Sequence, residues 1–228
     1  MLKLSHITVS FESQSNGAKM VLKDLNLTVN SGEFVLVLGD NGTGKSTLFN
    51  VISGFAQQNM GTIELAGNDI TDQSYIQRTR LIAHVLQDPS VGTLGELTIF
   101  ENMVFAHKRG QSRRLLPYER LYDRKMIQEQ LAVLGLGLEN RLDEPVKRLS
   151  GGQRQALSVA MALTQQPQLL LLDEITAALD QETGNTLMKT INTVVRNKKC
   201  TVLMITHNMQ HAQEYGDRVV VLKNGQIT

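Results

Sequence analysis

A glycine-rich stretch near residue 40 contains the residue types that point most directly to chemistry. It runs from Gly39 to Ser46, between an apolar run at Phe34–Leu38 and the helically spaced segment Thr47–Ile52. Glycines let successive backbone N–H groups face an anion, and the start of a helix adds a favourable dipole. Lys45 is suited to reach the β- and γ-phosphates of a nucleotide, and the Ser46 hydroxyl is suited to bind Mg²⁺. We therefore predict a phosphate-binding loop formed by Gly39, Asp40, Asn41, Gly42, Thr43, Gly44, Lys45, Ser46 and Thr47.

Two carboxylates follow a second apolar run. Leu169–Leu172 leads directly into Asp173 and Glu174, so a buried parallel strand would carry both to its carboxyl end, where ligands bind in open α/β sheets. Asp173 is suited to hold Mg²⁺, and Glu174 to orient and deprotonate an attacking water. Acidic residues also end strands without a function, and a phosphate loop alone does not separate a kinase or a GTPase from an ATPase. The occurrence of both features in one chain favours the functional interpretation.

The elements that position these residues follow from the hydrophobic pattern. Nearly continuous apolar runs predict strands that are buried on both faces of a parallel sheet. The first 30 residues instead alternate apolar and polar positions, which predicts antiparallel strands at one edge, separated by a turn at Asn16-Gly17. The runs that predict the parallel strands are Phe34–Leu38, Leu169–Leu172, Thr201–Ile205 and Val219–Leu222.

Between these strands lies a stretch with helical spacing and no continuous apolar strand. It predicts helices over Thr98–Lys108, over Tyr118–Leu134 with a left-handed cap at Gly135, and over 151–165 with Ser150 as the N-cap. We therefore expect an α/β protein with a mostly parallel sheet, an antiparallel β edge and an inserted α-helical subdomain. The predicted parts are residues 1–87 for the first part of the core, 88–166 for the helical subdomain and 167–228 for the second part of the core.

Composition restricts the classes of protein to consider. The chain has 228 residues, 41% of them hydrophobic and 20% charged, as in an ordinary globular domain. Its net charge of +1 creates no strong field toward nucleic acid or acidic lipid. The lone Cys200 excludes an internal disulfide framework and suits a reducing compartment. No apolar run approaches the roughly 20 residues that span a bilayer, and we expect no signal peptide at the start of these residues.

A second glycine-containing string identifies a resemblance. Leu149, Ser150, Gly151, Gly152 and Gln153 match the signature motif of the ATP-binding cassette (ABC) ATPases. Other landmarks of that family follow in the same order along essentially the whole chain: Phe11 at the position of the aromatic under the adenine, Gln87 at the Q-loop glutamine, Ala178, Leu179 and Asp180 at the D-loop, and His207 at the switch histidine.

The resemblance implies a P-loop ATPase that works as a homodimer. Two chains would pack head to tail around two Mg-ATP, each nucleotide lying between Lys45 of one chain and the signature residues Ser150, Gly151, Gly152 and Gln153 of the other. Gln87 would contact Mg²⁺ or the attacking water, together with the metal ligands Ser46 and Asp173. His207 would bond the γ-phosphate and hold Glu174 and the water in line. Asp180, in the D-loop, would be one of the residues that bind the nucleotide where the two chains meet.

Several positions have ordinary alternatives or depart from the family pattern. Phe11 alone could be a plain strand aromatic. His6, His84, His107 and His211 match no motif and are interpreted as structural. Ile175 and Ala177 stand where many family members have Pro and Ser, which removes one cross-dimer hydroxyl and leaves Glu174 and Asp180 in place. A basic stretch is interpreted mainly as a solvated face, with contact to lipid headgroups or to a membrane partner as the alternative: Lys108, Arg109, Arg113, Arg114, Arg120, Arg124 and Lys125.

The resemblance also bears on what the ATPase drives. In transporters of this family, the region of residues 88–93 and 97–102 receives a helix of the permease. A single cassette without fused membrane segments is typical of bacterial importers. Soluble relatives that act on ribosomes usually carry two cassettes, and DNA-repair relatives carry a long coiled coil. Neither feature occurs here, so a transporter subunit is favoured and a nucleic-acid partner is not.

Direction and cargo depend on finer likeness. The segments 87–89, 135–142 and 206–209 resemble a bacterial subgroup of uptake systems, some described as tryptophan or tyrosine importers. That resemblance implies an amino-acid importer with an integral membrane permease and an extracytoplasmic substrate-binding protein. It places the chain at the cytoplasmic face of the inner or plasma membrane. The alternatives are an exporter and a lipid- or lipoprotein-extracting system with the same cassette.

Overall fold

Two β-sheets frame the computed structural model, which describes residues 1–13, 17–109 and 122–228. A six-stranded sheet has the order β10-β9-β3-β8-β7-β6, in which all neighbours are parallel except the terminal β10-β9 pair. A four-stranded antiparallel sheet has the order β2-β1-β4-β5. The strands are β1 Leu2–Ser13, β2 Gly17–Val29, β3 Phe34–Leu38, β4 Met60–Leu65, β5 Asn68–Asp69, β6 Ile82–Val85, β7 Leu169–Asp173, β8 Thr201–Ile205, β9 Arg218–Lys223 and β10 Gln226–Ile227.

Eight α-helices in the described part of the chain cover these sheets. They are α1 Lys45–Ser53, α2 Tyr75–Arg78, α3 Pro89–Gly92, α4 Ile99–His107, α5 Arg124–Ala132, α6 Gly151–Leu163, α7 Gln181–Asn197 and α8 Met209–Tyr215. Short 3₁₀ turns at Leu138–Asn140 and Val146–Arg148 join α5 to α6. Among the described residues, every helix falls short of the length and apolar character that a membrane span requires.

The parallel strands divide their side chains between two hydrophobic cores. In β3, Val35 and Val37 pack with α1 and the antiparallel sheet, whereas Phe34 and Leu36 pack with helices α4 to α7. Because successive side chains of a strand point to opposite faces, a strand that is covered on both sides must be apolar throughout. The α/β class and the mostly parallel sheet predicted from these runs are confirmed. Burial on both faces is wrong for β9, in which Val219 and Val221 are exposed and only Val220 and Leu222 face the core.

The antiparallel edge contains an irregularity that alternation did not predict. Leu4 pairs with Leu27 in the predicted antiparallel arrangement, but the register shifts after Leu4. His6 and Asp24 both have positive φ, 56° and 49°, and their side chains meet at 2.7 Å. A bulge of this kind increases local twist. The predicted turn residue Asn16 lies outside the described residues.

The helical stretch has the predicted elements with small changes at their ends. Thr98 caps α4, and its hydroxyl accepts a hydrogen bond from the Glu101 N–H at 3.2 Å. Helix α5 begins at Arg124, and residues 118–121 of the predicted helix are not described; Gly135 has the predicted left-handed conformation, with φ of 65°. Helix α6 ends at Leu163, two residues before the predicted end. Its core is continuous with one face of the parallel sheet, so the boundaries 88–166 stay a prediction.

Candidate functional site

The glycine-rich loop joins β3 to α1, as predicted. Lys45 is the first residue of α1 and is 7% exposed. Its Nζ donates to the carbonyl oxygens of Gly39 at 2.7 Å and Asp40 at 2.9 Å. Gly44 is the N-cap in the left-handed conformation, and no side chain caps the helix. The first N–H groups of α1 are therefore available to an acceptor from outside, and a cation lies beside them, which fits a phosphate group.

Gly39 shows why this loop tolerates no side chain at its first position. A Cβ atom there would lie 2.4 Å from the carbonyl oxygen of Leu222 on β9 and 2.9 Å from Thr43 Oγ1. The same Thr43 hydroxyl donates to the Asp40 carbonyl at 2.9 Å. The loop is thus held by its own backbone against β9. Ser46 is exposed beside it, at the second position of α1, where its hydroxyl is accessible to a metal ion.

Asp173 and Glu174 lie where β7 ends. Asp173 is paired with Ile205 of β8, and the Glu174 N–H donates to the Ile205 carbonyl at 3.0 Å. Burial, together with the charge of Glu174, raises the pKa of Asp173 to about 6, and Lys45 acts in the opposite direction. Glu174 has a φ of 45°, an unusual conformation for a residue with a side chain. Such outliers are common where a fold orients a reactive group.

His207 meets Glu174 directly. The distance between His207 Nε2 and Glu174 Oε1 is 2.7 Å, and the carboxylate side chain is 18% exposed whereas the imidazole is 47% exposed. The two residues follow adjacent strands, β7 and β8, so the parallel register brings them to the same edge of the sheet. An imidazole held against a carboxylate can orient that carboxylate toward a water molecule.

Gln87 is exposed just after β6, the strand beside β7. The preceding residue is fixed by a contact that sequence analysis missed. Gln155 of α6 is 1% exposed, and its Nε2 donates to the Leu86 carbonyl oxygen at 3.1 Å. The signal in the sequence was a glutamine two residues after the signature string, which no local pattern could pair with residue 86.

The signature string forms the start of α6. Ser150 is the N-cap: its Oγ accepts from the Gln153 N–H at 3.2 Å, and Gln153 Oε1 accepts from the Ser150 N–H at 3.2 Å. Arg141 Nη1 also donates to Gln153 Oε1, at 3.1 Å. The string therefore shapes a helix start as well as exposing Gly151.

The second signature glycine lies against the start of α7. A Cβ atom on Gly152 would lie 2.4 Å from Thr183 Cγ2, and one on Gly151 would lie 3.7 Å from Leu179. Asp180 is the N-cap of α7 and accepts from the Thr183 N–H at 3.0 Å, and its hydrogen bonds with Thr183 lower its pKa. Within one chain the signature residues thus contact the segment around Asp180. No hydrogen bond or ion pair of the described residues joins them to the phosphate loop.

The remaining predicted positions lie at the margins of this site. Phe11 is on β1, paired with Lys19, and is 49% exposed. The described residues contain no group of three or more His, Cys, Asp or Glu side chains that could hold a metal ion. Ser46, Gln87 and Asp173 offer one alcohol, one amide and one carboxylate, so most of a magnesium shell would have to come from nucleotide and water.

Comparison with known proteins agrees with this geometry. The family model described as ABC transporter matches residues 22–177. A tyrosine transport ATP-binding protein of Clostridioides difficile (strain R20291) is 39% identical, over 100% of this chain and 90% of that protein. The tungstate uptake system ATP-binding protein TupC of Peptoclostridium acidaminophilum is 36% identical, over 97% of this chain and 96% of that protein.

Solved structures support the same assignment. A dimeric ATP-binding cassette in a post-hydrolysis state, bound to ADP and Pi, matches with a TM-score of 0.83 and 28% identity, over 100% of this chain and 96% of that chain. The match extends over the phosphate loop, the acidic pair and the signature helix alike. The chain therefore belongs to the ABC transporter family, as one of its ATP-hydrolysing cassettes.

Proposed function

We propose that this cassette dimerises around two Mg-ATP and powers a separate permease that imports amino acids or similar small solutes. The observation that carries the transport part of the proposal is the 39% identity, over the whole chain, with a protein named for tyrosine transport. A second relative of nearly equal length is named for tungstate uptake. The second name describes an uptake system, which favours import over the exporter and lipid-extracting alternatives.

The nucleotide would be held by groups at one edge of the parallel sheet. The N–H groups at the start of α1 and the Lys45 ammonium suit the phosphates, and the half-exposed Phe11 suits the adenine. Ser46, Gln87 and Asp173 are the proposed protein ligands of Mg²⁺. A metal ion beside Asp173 would favour the ionised carboxylate, against the effect of burial.

Hydrolysis needs an oriented water and a base. ATP supplies the phosphoanhydride bond, and Glu174 is the group that we assign to orient and deprotonate the water. The 2.7 Å contact supports a role for His207 in restraining the Glu174 carboxylate. Lys45 contributes positive charge where negative charge develops on the phosphate oxygens. We assign Gln87 to contact either the attacking water or the metal ion.

The proposed site is shared between two chains. Ser150 and Gly151 are exposed at the start of α6, where N–H groups can bind an anion. Their own chain holds them against Leu179 and Thr183, near Asp180. A partner in the opposite orientation would place its signature residues over this chain's phosphate loop. Loss of the γ-phosphate would remove contacts on both sides and let the dimer open.

The permease is proposed to bind at the segment formed by α3 and the loop that leads to α4. Val91 and Leu94 are 69% and 48% exposed there, so the segment offers apolar surface. The fully buried Asn102 orders the loop, because its side chain accepts from the Leu94 N–H at 2.8 Å and donates to the Thr98 carbonyl at 2.9 Å. The segment starts next to Gln87, so it lies beside the proposed nucleotide site. This arrangement implies a peripheral location at the cytoplasmic face of the membrane, with a substrate-binding protein on the other side.

The experiment that tests the proposal is affinity capture with the Glu174→Gln variant from detergent-solubilised membranes of the host. This variant should bind ATP and hydrolyse it very slowly, so ATP and Mg²⁺ should trap the dimer and retain its partners. We expect a multispan permease in the eluate, together with a substrate-binding protein. An eluate that contains ribosomal or DNA-associated proteins and no membrane protein would refute the transport function. A permease of an export or lipid-extracting system would refute import alone.

Two matched variants define the specificity of this capture. Lys45→Ala should lose nucleotide binding or hydrolysis and recover little permease; normal turnover would reject the phosphate-loop assignment. Val91→Asp in the Glu174→Gln background should reduce capture of the permease without preventing ATP binding. Val133→Asp, at the 58% exposed residue that follows α5, should leave capture unchanged. Equal capture by both aspartate variants would reject the proposed permease-binding segment.

A further inference from the structure

A buried polar contact lies behind the turn that carries His207. His211 of α8 is 3% exposed, and its Nε2 is 2.8 Å from Asn185 Oδ1 on α7. Because an amide oxygen only accepts hydrogen bonds, the His211 Nε2–H is the donor of this contact. The contact joins two helices that follow different strands, β7 and β8.

The turn itself is tied to His211 through Asn208. Asn208 Oδ1 accepts from the Gln210 N–H at 2.9 Å and from the His211 N–H at 3.1 Å, which caps α8. The Asn208 N–H donates to Thr206 Oγ1 at 3.0 Å. The residues on both sides of His207 are therefore restrained, and the restraint continues through α8 to the His211 side chain.

The chemistry of His211 argues against a role as core filler. Its Nδ1 is buried and has no hydrogen-bond partner among the described residues. Burial lowers the pKa of His211, and the charge of Glu214 acts in the opposite direction. An apolar side chain would fill the space without leaving a polar atom unpaired. The neutral imidazole instead directs its Nε2–H to Asn185 Oδ1 at 2.8 Å, and Asn208 Nδ2 lies 3.4 Å from the same nitrogen.

Helix α7 connects this contact with Asp180. Asp180 caps α7, and Asn185 lies in its second turn, so the two residues belong to one 17-residue helix. His207, at the other end of the network, contacts Glu174 at 2.7 Å. A displacement of the Asp180 end of α7 would thus reach the carboxylate through Asn185, His211 and the His207 turn.

We propose that His211 is a positioning residue that couples the Asp180 helix to His207, so that the orientation of Glu174 depends on contact with the partner cassette. The proposal rests on the roles given above to Glu174, His207 and Asp180. It gives Asn185 the function of acceptor for His211. The two residues act as a pair, because neither can form the contact alone.

Steady-state ATP hydrolysis by the purified chain tests the pair. We expect His211→Leu and Asn185→Ala each to lower kcat by about 10-fold, with the KM for ATP changed by less than about twofold, because the group that orients the water is misplaced while nucleotide binding is intact. The double variant should lose no more than the larger single loss. His211→Gln, whose amide N–H can replace Nε2–H, should recover most of the rate.

Controls separate this proposal from a folding defect and from failure of the site itself. Asn185 is exposed, so Asn185→Ala should stay folded. Gln213 is an exposed residue of α8, and Gln213→Leu should keep the wild-type kcat. Any of three results would overturn the proposal: a wild-type kcat in His211→Leu, losses of kcat that multiply in the double variant, or no recovery of kcat in His211→Gln. Glu174→Gln and His207→Ala are measured in parallel. Normal ATP hydrolysis by these two variants would reject the proposed site. If they lose ATP hydrolysis while His211→Leu keeps it, only the coupling is rejected.

Discussion

At the scale of single residues, the site depends on a few charged groups whose properties are set by their neighbours. Lys45 is nearly buried and bound to two carbonyl oxygens, so its ammonium is held in the loop before any phosphate arrives. Asp173 is under the opposite constraint, since burial and the adjacent Glu174 disfavour its charge. A nucleotide-bound magnesium ion would relieve that cost. The ligand-free site is therefore expected to be electrostatically unfavourable near neutral pH.

This expectation predicts a pH-dependent effect of Asp173→Asn on stability. The pKa of Asp173 in the folded protein is about 6, above its ordinary value of 3.8, so the folded state binds the proton more tightly. The stability of the wild type then falls as the pH rises through 6. At pH 8, without nucleotide or Mg²⁺, Asp173→Asn should be the more stable protein by about 1 kcal/mol, since partial exposure screens part of the charge. At pH 4.5 the difference should be small. Urea unfolding at the two pH values measures it.

Asp217→Asn provides a control of opposite sign. The Asp217 carboxylate accepts from Arg196 Nη1 at 2.7 Å and from the Phe34 N–H at 2.8 Å, and these contacts lower its pKa. The ionised Asp217 stabilises the fold at pH values above the pKa that this carboxyl has in the unfolded protein. The stabilisation is lost as the pH falls through the lower pKa that the carboxyl has in the folded protein. Asp217→Asn should therefore be destabilised most at pH 8. If Asp173→Asn were also less stable than the wild type at pH 8, the electrostatic account of the site would be wrong.

At the scale of elements, the parallel strands gather the site and helix α6 connects its parts. β6, β7 and β8 are neighbours, so Gln87, Glu174 and His207 reach one edge of the sheet although about 120 residues separate the first from the last. Helix α6 begins with the signature string and reaches the segment before Gln87 through Gln155. One helix thus touches both a segment proposed to face the chain's own nucleotide and one proposed to face the partner's.

Gln155→Met tests that connection. Methionine keeps the volume and removes the donor, so the Leu86 carbonyl loses its partner and the free energy of unfolding should fall by about 1–3 kcal/mol. We also expect kcat for ATP to fall several-fold, because the segment before Gln87 loses a restraint. Gln165→Met is the matched control: its amide also donates to main-chain carbonyls, including that of His107 at 2.8 Å, but away from the proposed site. It should lose stability and keep its turnover per folded molecule. Normal turnover in Gln155→Met would mean that the contact is only structural.

At the scale of the whole molecule, two hydrophobic cores on opposite faces of one sheet hold the phosphate loop and the signature helix in fixed positions. The core on the α1 side supports the loop, and the core shared by α4 to α7 supports the signature helix. The signature residues are held against the start of α7 in the same chain. A complete site is therefore proposed to require a second chain, and the two sites of a symmetric dimer would be equivalent.

Mixing two inactive variants tests the shared site. Lys45→Ala removes the ammonium that is proposed to bind phosphate. Gly151→Asp puts a carboxylate at the proposed anion site and leaves the Ser150 cap in place. The space at Gly151 admits a side chain, because the nearest atom to an added Cβ would be 3.7 Å away. About half of all dimers in an equal mixture would pair unlike chains, and each of these would have one intact site out of two. The mixture should therefore hydrolyse ATP at roughly a quarter of the wild-type rate. A mixture no more active than its two components would contradict a site formed between chains.

Much of this architecture was determined by the sequence alone. Local patterns predicted the parallel strands, the phosphate loop before α1, the cap at Ser150 and the acidic pair at the end of β7, because periodicity and cap chemistry act over a few residues. The resemblance to the ABC ATPases added the order of Gln87, Asp180 and His207. The limits of α6 and the bulge at His6 were not predicted, since they depend on packing and strand register.

The tertiary structure alone decided how the predicted residues are connected. Nothing in the local sequence pairs Gln155 with Leu86, or His211 with Asn185, because each contact joins residues on different elements. His211 matches no motif, so the sequence alone indicates only a structural role for it. A sequence pattern reports which side chains are available and on which face of an element they lie. Strand order, register and helix packing determine which of them meet, and in this chain they bring Glu174 within 2.7 Å of His207.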